Sequence, residues 1–207
     1  MKKILFIACL TLITGVLDLS SQTKATPQQI FNETVKKLID TKGVEAHFTI
    51  NNSGYSGKGS VKTFGSEFSV VMPDAEIWYN GKDLYTYNKN TQETTVVKPT
   101  DEELSQSNPL DYVYGAKSNY SISFSTVKKA GRYVLELIPK TKSADIKRIT
   151  LTVRNNDYIP EKIVVEPHRG NPIVAEITSF KTGISFTSKD FDYPKAKYPK
   201  AEIIDLR

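Results

Sequence analysis

Disulfide chemistry is closed to this chain, because its single cysteine, Cys9, lies in an N-terminal leader. An exported domain without disulfides is stabilised by its core alone. Histidine is nearly missing as well: His47 and His168 stand far apart in sequence, and a metal site needs three or four convergent ligands. Neither G-x-S-x-G, nor a glycine-rich phosphate loop, nor a paired-carboxylate motif occurs. Catalysis needs a nucleophile, a tuned acid–base pair or a metal shell at one place. The residues therefore read as a non-enzyme without cofactor or metal. Asp101, Glu102 and Glu103 follow Thr100 in a capping-box pattern, where acidic side chains complement a helix dipole. Blocks of five or six like charges are missing too. The net charge of +5 reads as a dispersed basic surface with short clusters such as Lys195, Lys197 and Lys200. Weak attraction to anionic lipid or an acidic partner is the most it offers, and nucleic acid is not an expected partner.

The leader itself is present. Lys2 and Lys3 precede an apolar stretch from Ile4 to Leu19, and small or polar residues follow from Ser20 to Ala25. This pattern is a Sec-type signal peptide. Residues 1–25 are expected to leave, with cleavage between about 21 and 25, and residues 26–207 to form one domain. Cys9 lies too near Lys3 for a lipoprotein signal. No later apolar run reaches spanning length, so the remaining chain is expected to be soluble. Its length of about 185 residues is enough for one sizeable core.

Helical periodicity occurs early. Thr26, Pro27 and Gln29 make a capping box with proline in the first turn. Ile30, Phe31, Val35, Leu38 and Ile39 follow as one apolar stripe, and Gly43 ends it. Alternation by two then takes over. Strands are expected at Val44–Ile50, Lys58–Thr63, Ser66–Met72, Glu76–Tyr79, Lys82–Tyr87 and Thr91–Lys98. Helical pieces follow near Thr100 and Leu110. More strands are expected at Tyr120–Ser125, Arg132–Ile138, Asp145–Arg154, Tyr158–Glu166, Ile173–Phe180 and Ile184–Thr187. Pro160 marks an edge or bulge. Asn80-Gly81 is the strongest hairpin signal. It sorts Ile77, Tyr79 and Leu84 to one face and Trp78, Tyr85 and Tyr87 to the other. Both faces are apolar, so both are expected to be covered. The aromatic, lysine-rich tail from Asp190 to Arg207 is expected to wrap the outside, with Ile203, Ile204 and Leu206 placed to pair onto a sheet edge.

The order of these elements resembles the periplasmic outer-membrane lipoprotein carriers of the LolA family. Ala46-His47-Phe48-Thr49 is similar to the family's "F-x-A-x-F-x-Q" strand, and Gly57-Lys58-Gly59-Ser60-Val61 to its "G-x-G-x-(L/V)" strand. Asn80 to Asn88 resembles its "D-G-x-x-L-W-x-Y-(D/N)" hairpin. Asn108-Pro109-Leu110 and Leu137-Ile138-Pro139-Lys140 resemble its "(N/T)-P-x-x-L" and "L-x-P-K" segments. The order and spacing of these motifs, not any one of them, carry the case. The resemblance implies a mainly β fold: a single unclosed antiparallel β-barrel, or half-barrel, of about ten or eleven strands with short lid helices. It also implies a monomer in the periplasm with a hydrophobic cavity for the acyl chains of lipoproteins. The implied partners are those acylated lipoproteins, an inner-membrane ABC-type release complex and an outer-membrane acceptor. Many relatives carry an arginine just after the second strand that bonds to the lid. Here Val61-Lys62-Thr63-Phe64-Gly65 offers only Lys62, which lacks the planar guanidinium fork.

Candidate lid and cavity residues follow. Phe31, Val35 and Leu38 come from the first helix, and Leu110 and Val113 from the mid-chain insertion. Phe48, Ile50, Phe68, Val70, Trp78, Leu84 and Tyr85 come from the first strands. Ile122, Phe124, Leu135 and Leu151 come from the later ones. Each is also good packing for an ordinary core. A carrier of another lipid or glycolipid, and an exported β-sandwich surface or assembly protein with a solid core, stay open beside the lipoprotein carrier.

Overall fold

The computed structural model describes residues 25–39, 43–100, 119–141 and 145–207. The expected leader, save Ala25, and the helical pieces expected after Thr100 and around Leu110 lie outside them. Helix α1 spans Pro27–Ile39. Its capping box forms: the Thr26 amide donates to Gln29 Oε1 at 2.8 Å, and the Gln29 amide donates to Thr26 Oγ1 at 3.2 Å. Two amides without helical partners are thereby satisfied.

Six strands follow: β1 Val44–Asn52, β2 Tyr55–Phe64, β3 Glu67–Val71, β4 Ala75–Tyr79, β5 Leu84–Asn88 and β6 Glu93–Val97. Five more are β7 Tyr120–Phe124, β8 Arg132–Pro139, β9 Ile146–Arg154, β10 Pro160–Pro167 and β11 Ile173–Thr182. The last, β12, is Glu202–Asp205. They form one 12-stranded sheet in the order β12-β6-β5-β4-β3-β2-β1-β11-β10-β9-β8-β7. Its two ends, β12 and β7, do not pair, so the barrel is unclosed. Every pairing is antiparallel except β12 on β6, which is parallel. The tail thus supplies the twelfth strand and covers the β6 edge.

Three local expectations are refined. Ile184–Thr187 is not a strand, although the Ile184 amide still donates to the Gly43 carbonyl at 3.2 Å. The chain leaves the sheet there to cross its face. Pro160 opens an interior strand, with a register shift between Pro160 and Lys162, so it marks a bulge and not an edge. The Asn80 hairpin has a four-residue loop, with Tyr79 opposite Leu84. Asn80 Oδ1 accepts from the Lys82 and Asp83 amides at 3.2 and 2.9 Å, and Gly81 takes a φ of 87° that favours glycine. Relative to a two-residue turn, the pairing moves by two positions, so each side chain keeps its face. Among the described residues no helix is long and apolar enough to cross a membrane.

Pairing register defines an inner face, the one that α1 covers. Leu135, Leu151, Ile163, Ala175 and Ile50 are successive cross-strand partners. Ala46, Val61, Val70 and Ile77 are another such row. Two core clusters result. Ile30 and Phe31 of α1 join Leu135, Leu137, Ile149, Leu151 and Val153, while Ala46, Val61, Phe68, Val70 and Leu84 form the second. Burying each large side chain contributes about 1.5–3 kcal/mol.

Glycine is required at position 59 on the inner face. A Cβ on Gly59 would lie 2.4 Å from Phe48 Cε2 and 2.7 Å from the Val71 carbonyl oxygen. The Phe48 ring lies where that side chain would go. Gly59→Ala is therefore expected to lower stability by about 1–3 kcal/mol through overpacking. Urea denaturation measures it, and an unchanged midpoint would contradict this account of the packing.

Candidate functional site: an apolar face under a helix

The site is the inner face beneath α1. Ile30 and Phe31 are each 0% exposed, as is Leu135 of β8, and Leu151 of β9 is 3% exposed. Val35 is half-buried against the same cluster, and Leu38 is buried further along the helix. Ile122 of β7 packs at its margin. Several polar bonds of α1 lie within the helix. Thr34, 1% exposed, donates its hydroxyl to the Ile30 carbonyl at 3.0 Å. Lys36 pairs with Glu33, and the Gln28 amide donates to Asn32. Because Thr34 is satisfied from its own helix, its burial asks nothing of the sheet.

The second cluster continues the face across β1–β5. Phe68, Val70 and Leu84 are buried there, with Phe48 half-buried beside them. Ile50, half-buried, lies on the row that joins the two halves. Phe124 stands at the other end, 48% exposed. Its ring lies 6.4 Å from Tyr133, which in turn stacks on Tyr158 at 6.3 Å. Sequence reasoning missed these two tyrosines. Tyr158 sits beside the Asn155–Asp157 turn with a φ of 59°, and alternation does not reach into such a turn. Ile30, Leu137 and Ile149 were missed as site residues too, although Ile30 stood in the apolar stripe of the first helix and the other two lay in expected strands.

Two candidates go elsewhere. Trp78 and Tyr85 are cross-strand partners on the outer face, under the tail. Trp78 meets Tyr193 edge-on at 5.5 Å, and Tyr85 stacks on Tyr193 at 5.3 Å. Tyr87 packs on Tyr198 at 4.1 Å. The tail aromatics give this row of side chains its cover, and strand parity alone does not reveal which side a tail will take. Leu110 and Val113 lie outside the described residues. Lys62 also faces outward, its ammonium 5.6 Å from the Phe186 ring centre, so it does not stand in for the relatives' lid arginine. His47 is half-exposed beside Glu45 at 3.4 Å, and His168 is exposed in a turn. Among the described residues no three His, Cys, Asp or Glu side chains gather as a metal site. The inner face offers apolar contact, and the chemistry of such a surface is adsorption of an apolar chain.

Charge is concentrated on the outer face. Glu76 of β4, 5% exposed, accepts from Lys197 Nζ at 2.9 Å and pairs with Lys89 at 3.3 Å. Burial pushes its carboxyl up, but hydrogen bonds from the tail and the Lys197 charge outweigh this and hold it below 4.5. A folded-state value below the unfolded one gives stability that is present above the unfolded value and lost as pH falls through the folded one. Wild-type stability is therefore expected to fall below about pH 4.5, more steeply than that of Glu76→Gln. Urea titrations between pH 6 and 3 measure it, and parallel curves would contradict the assignment.

A family model described as outer membrane lipoprotein carrier protein LolA matches residues 18–169. No curated protein matches the chain. Among solved structures, an uncharacterized conserved protein from Thermus thermophilus is similar at 14% identity and a TM-score of 0.57, over 86% of this chain and 98% of that one. At that identity the likeness is one of fold. A putative outer membrane lipoprotein-sorting protein domain from Vibrio parahaemolyticus matches at 12% identity and a TM-score of 0.45, over 80% and 96% of the two chains. A LolA superfamily protein from Nitrosomonas europaea matches at 13% identity and a TM-score of 0.41, over 82% and 98%. With the family model covering well over half its length, this chain belongs to the outer membrane lipoprotein carrier protein LolA family.

Proposed function

We propose that this protein is a periplasmic carrier that takes the acyl chains of lipoproteins between α1 and the inner face and transfers them from the inner to the outer membrane. Residues 1–25 serve as its export signal, and it works as a monomer without enzymatic chemistry. Its donor is an ABC-type release complex in the inner membrane, and its acceptor lies in the outer membrane. One observation supports the reading above others: Ile30 and Phe31 of α1, fully buried, pack with β8 and β9 side chains by apolar contact, and the buried Thr34 hydroxyl beside them bonds within the helix. An acyl chain offers the sheet the same kind of contact, so helix and chain compete for one surface. A methylene in water is disfavoured by about 0.8 kcal/mol, so a ~15-carbon chain is disfavoured by roughly 12 kcal/mol. Exchange against α1 offsets much of that while keeping release feasible.

Carriage of another lipid or glycolipid is the second reading. The outward-facing Lys62 favours it, because lid closure here does not use the arginine of many relatives. Mass spectrometry of what co-purifies from the native periplasm separates the two: acylated proteins support the first reading, and free lipid or glycolipid supports the second.

Competition predicts effects of opposite sign. Phe31→Ala is expected to lower folding stability by about 3–5 kcal/mol. The same change raises the affinity for palmitate severalfold above a low-micromolar wild-type value, since it weakens the helix against its competitor. Denaturation and isothermal titration measure the two. A wild-type protein that ignores palmitate would point to a solid, non-carrier domain.

A further inference from the structure

We propose that residues 192–207 form an arm that lifts off the outer face as one unit, hinged at Phe191 and held down by two ion pairs to buried carboxylates. The fixed end is clear. Phe191 is 0% exposed and packs between Phe64 at 6.5 Å and Phe186 at 5.6 Å. Its 3-10 turn is capped by Thr187 and Asp190. Beyond Phe191 the burial changes: no residue from 192 to 207 is buried. All four residues of β12 are exposed, with Ile203 and Ile204 at 43% and 36%. Beneath the arm the opposite holds. Glu76, Trp78, Asp83, Tyr87, Thr94 and Val96 are all buried.

The arm is held by the Tyr193 and Tyr198 rings on Trp78, Tyr85 and Tyr87 and by polar anchors, and the anchors are the part that a change of charge removes. Lys197 bonds Glu76 at 2.9 Å, and Arg207 bonds Asp83 Oδ2 at 2.8 Å. The Tyr193 hydroxyl meets Thr94 Oγ1 at 2.9 Å. Asp83 is 5% exposed and its other oxygen, Oδ1, has no hydrogen-bond partner. A buried carboxylate left without its cation is costly, so loss of Arg207 weakens the site and not only the contact. Glu76 keeps Lys89 when Lys197 leaves, which makes the Arg207 anchor the more decisive one. These anchors all lie on the face opposite α1, so release of the arm leaves the helix and its cluster in place. It uncovers Trp78 with Tyr85 and Tyr87, and it frees the β6 edge, a template for a strand from another chain.

Trp78 is the only tryptophan and reports the event directly. The mature full-length chain and its Lys197→Gln/Arg207→Gln double variant are digested briefly with trypsin and followed by mass spectrometry. The double variant is expected to be cut after Lys200, which both chains keep, at least about tenfold faster, with Trp78 emission moved to longer wavelength while the sheet's circular dichroism is retained. Arg207→Lys, keeping the charge, restores most of the wild-type rate. In the wild type, hydrogen exchange at the Glu202 and Leu206 amides, which donate to the Gln92 and Val96 carbonyls, is expected to be at least about tenfold faster than at β3 and β4 amides. Equal cleavage and unchanged emission in the double variant would overturn the arm. So would wild-type protection of Glu202 and Leu206 equal to that of β3 and β4, whether or not the variants fold.

Discussion

Ile30 and Phe31 fill the inner face with side chains that form no directional bond to it, and the rest of the molecule is arranged around that contact. Apolar contact is exchangeable: any surface of similar area and chemistry can replace it. A hydrogen bond or ion pair across the same boundary would have to be matched by whatever displaced it. Thr34, buried yet satisfied by the Ile30 carbonyl, keeps the boundary free of that demand. The helix is thereby held by area, and area is what an acyl chain also offers.

Keeping one face apolar over so many strands requires that polar work be done on the other. Arg148 forks onto both carboxylate oxygens of Glu166 at 2.8 and 2.9 Å, and Lys162 meets Glu176 at 3.0 Å. Both bridges link neighbouring strands on the outer face, and both are partly exposed, so each contributes modestly. Their arrangement matters more than their strength. Strand pairing with period two forces a residue on one side or the other, and a register slip of one would carry Arg148 and Glu166 inward.

Much of this was legible from residue order. The Thr26–Gln29 box named the helix start to the residue. The two-residue rhythm placed eleven strands close to where they lie, and Ile203-Ile204 pointed to edge pairing. Sorting at the Asn80 hairpin survived a longer loop because the change was an even number of residues. Other features were not legible for physical reasons. Alternation divides Ile77 from Trp78 but does not say which of two apolar sides meets the helix and which meets the tail. The Tyr133–Tyr158 stack joins a strand to a turn, and no local pattern encodes that meeting. Ile184–Thr187 alternates like a strand, yet it has left its neighbours to begin the crossing. The tail's anchors, Lys197 on Glu76 and Arg207 on Asp83, join positions more than a hundred residues apart, beyond any periodicity.

The most direct measurement follows the helix itself. A chain starting at residue 26 has no cysteine, so Lys36→Cys on α1 and Lys181→Cys on β11 give two clean sites for spin labels, both exposed. Distances between them are recorded with and without a bound acyl chain such as palmitate. The account predicts a second, longer distance that grows with occupancy. A single unchanged distance at saturating palmitate would contradict it, because the chain would then have found a place that α1 does not cover.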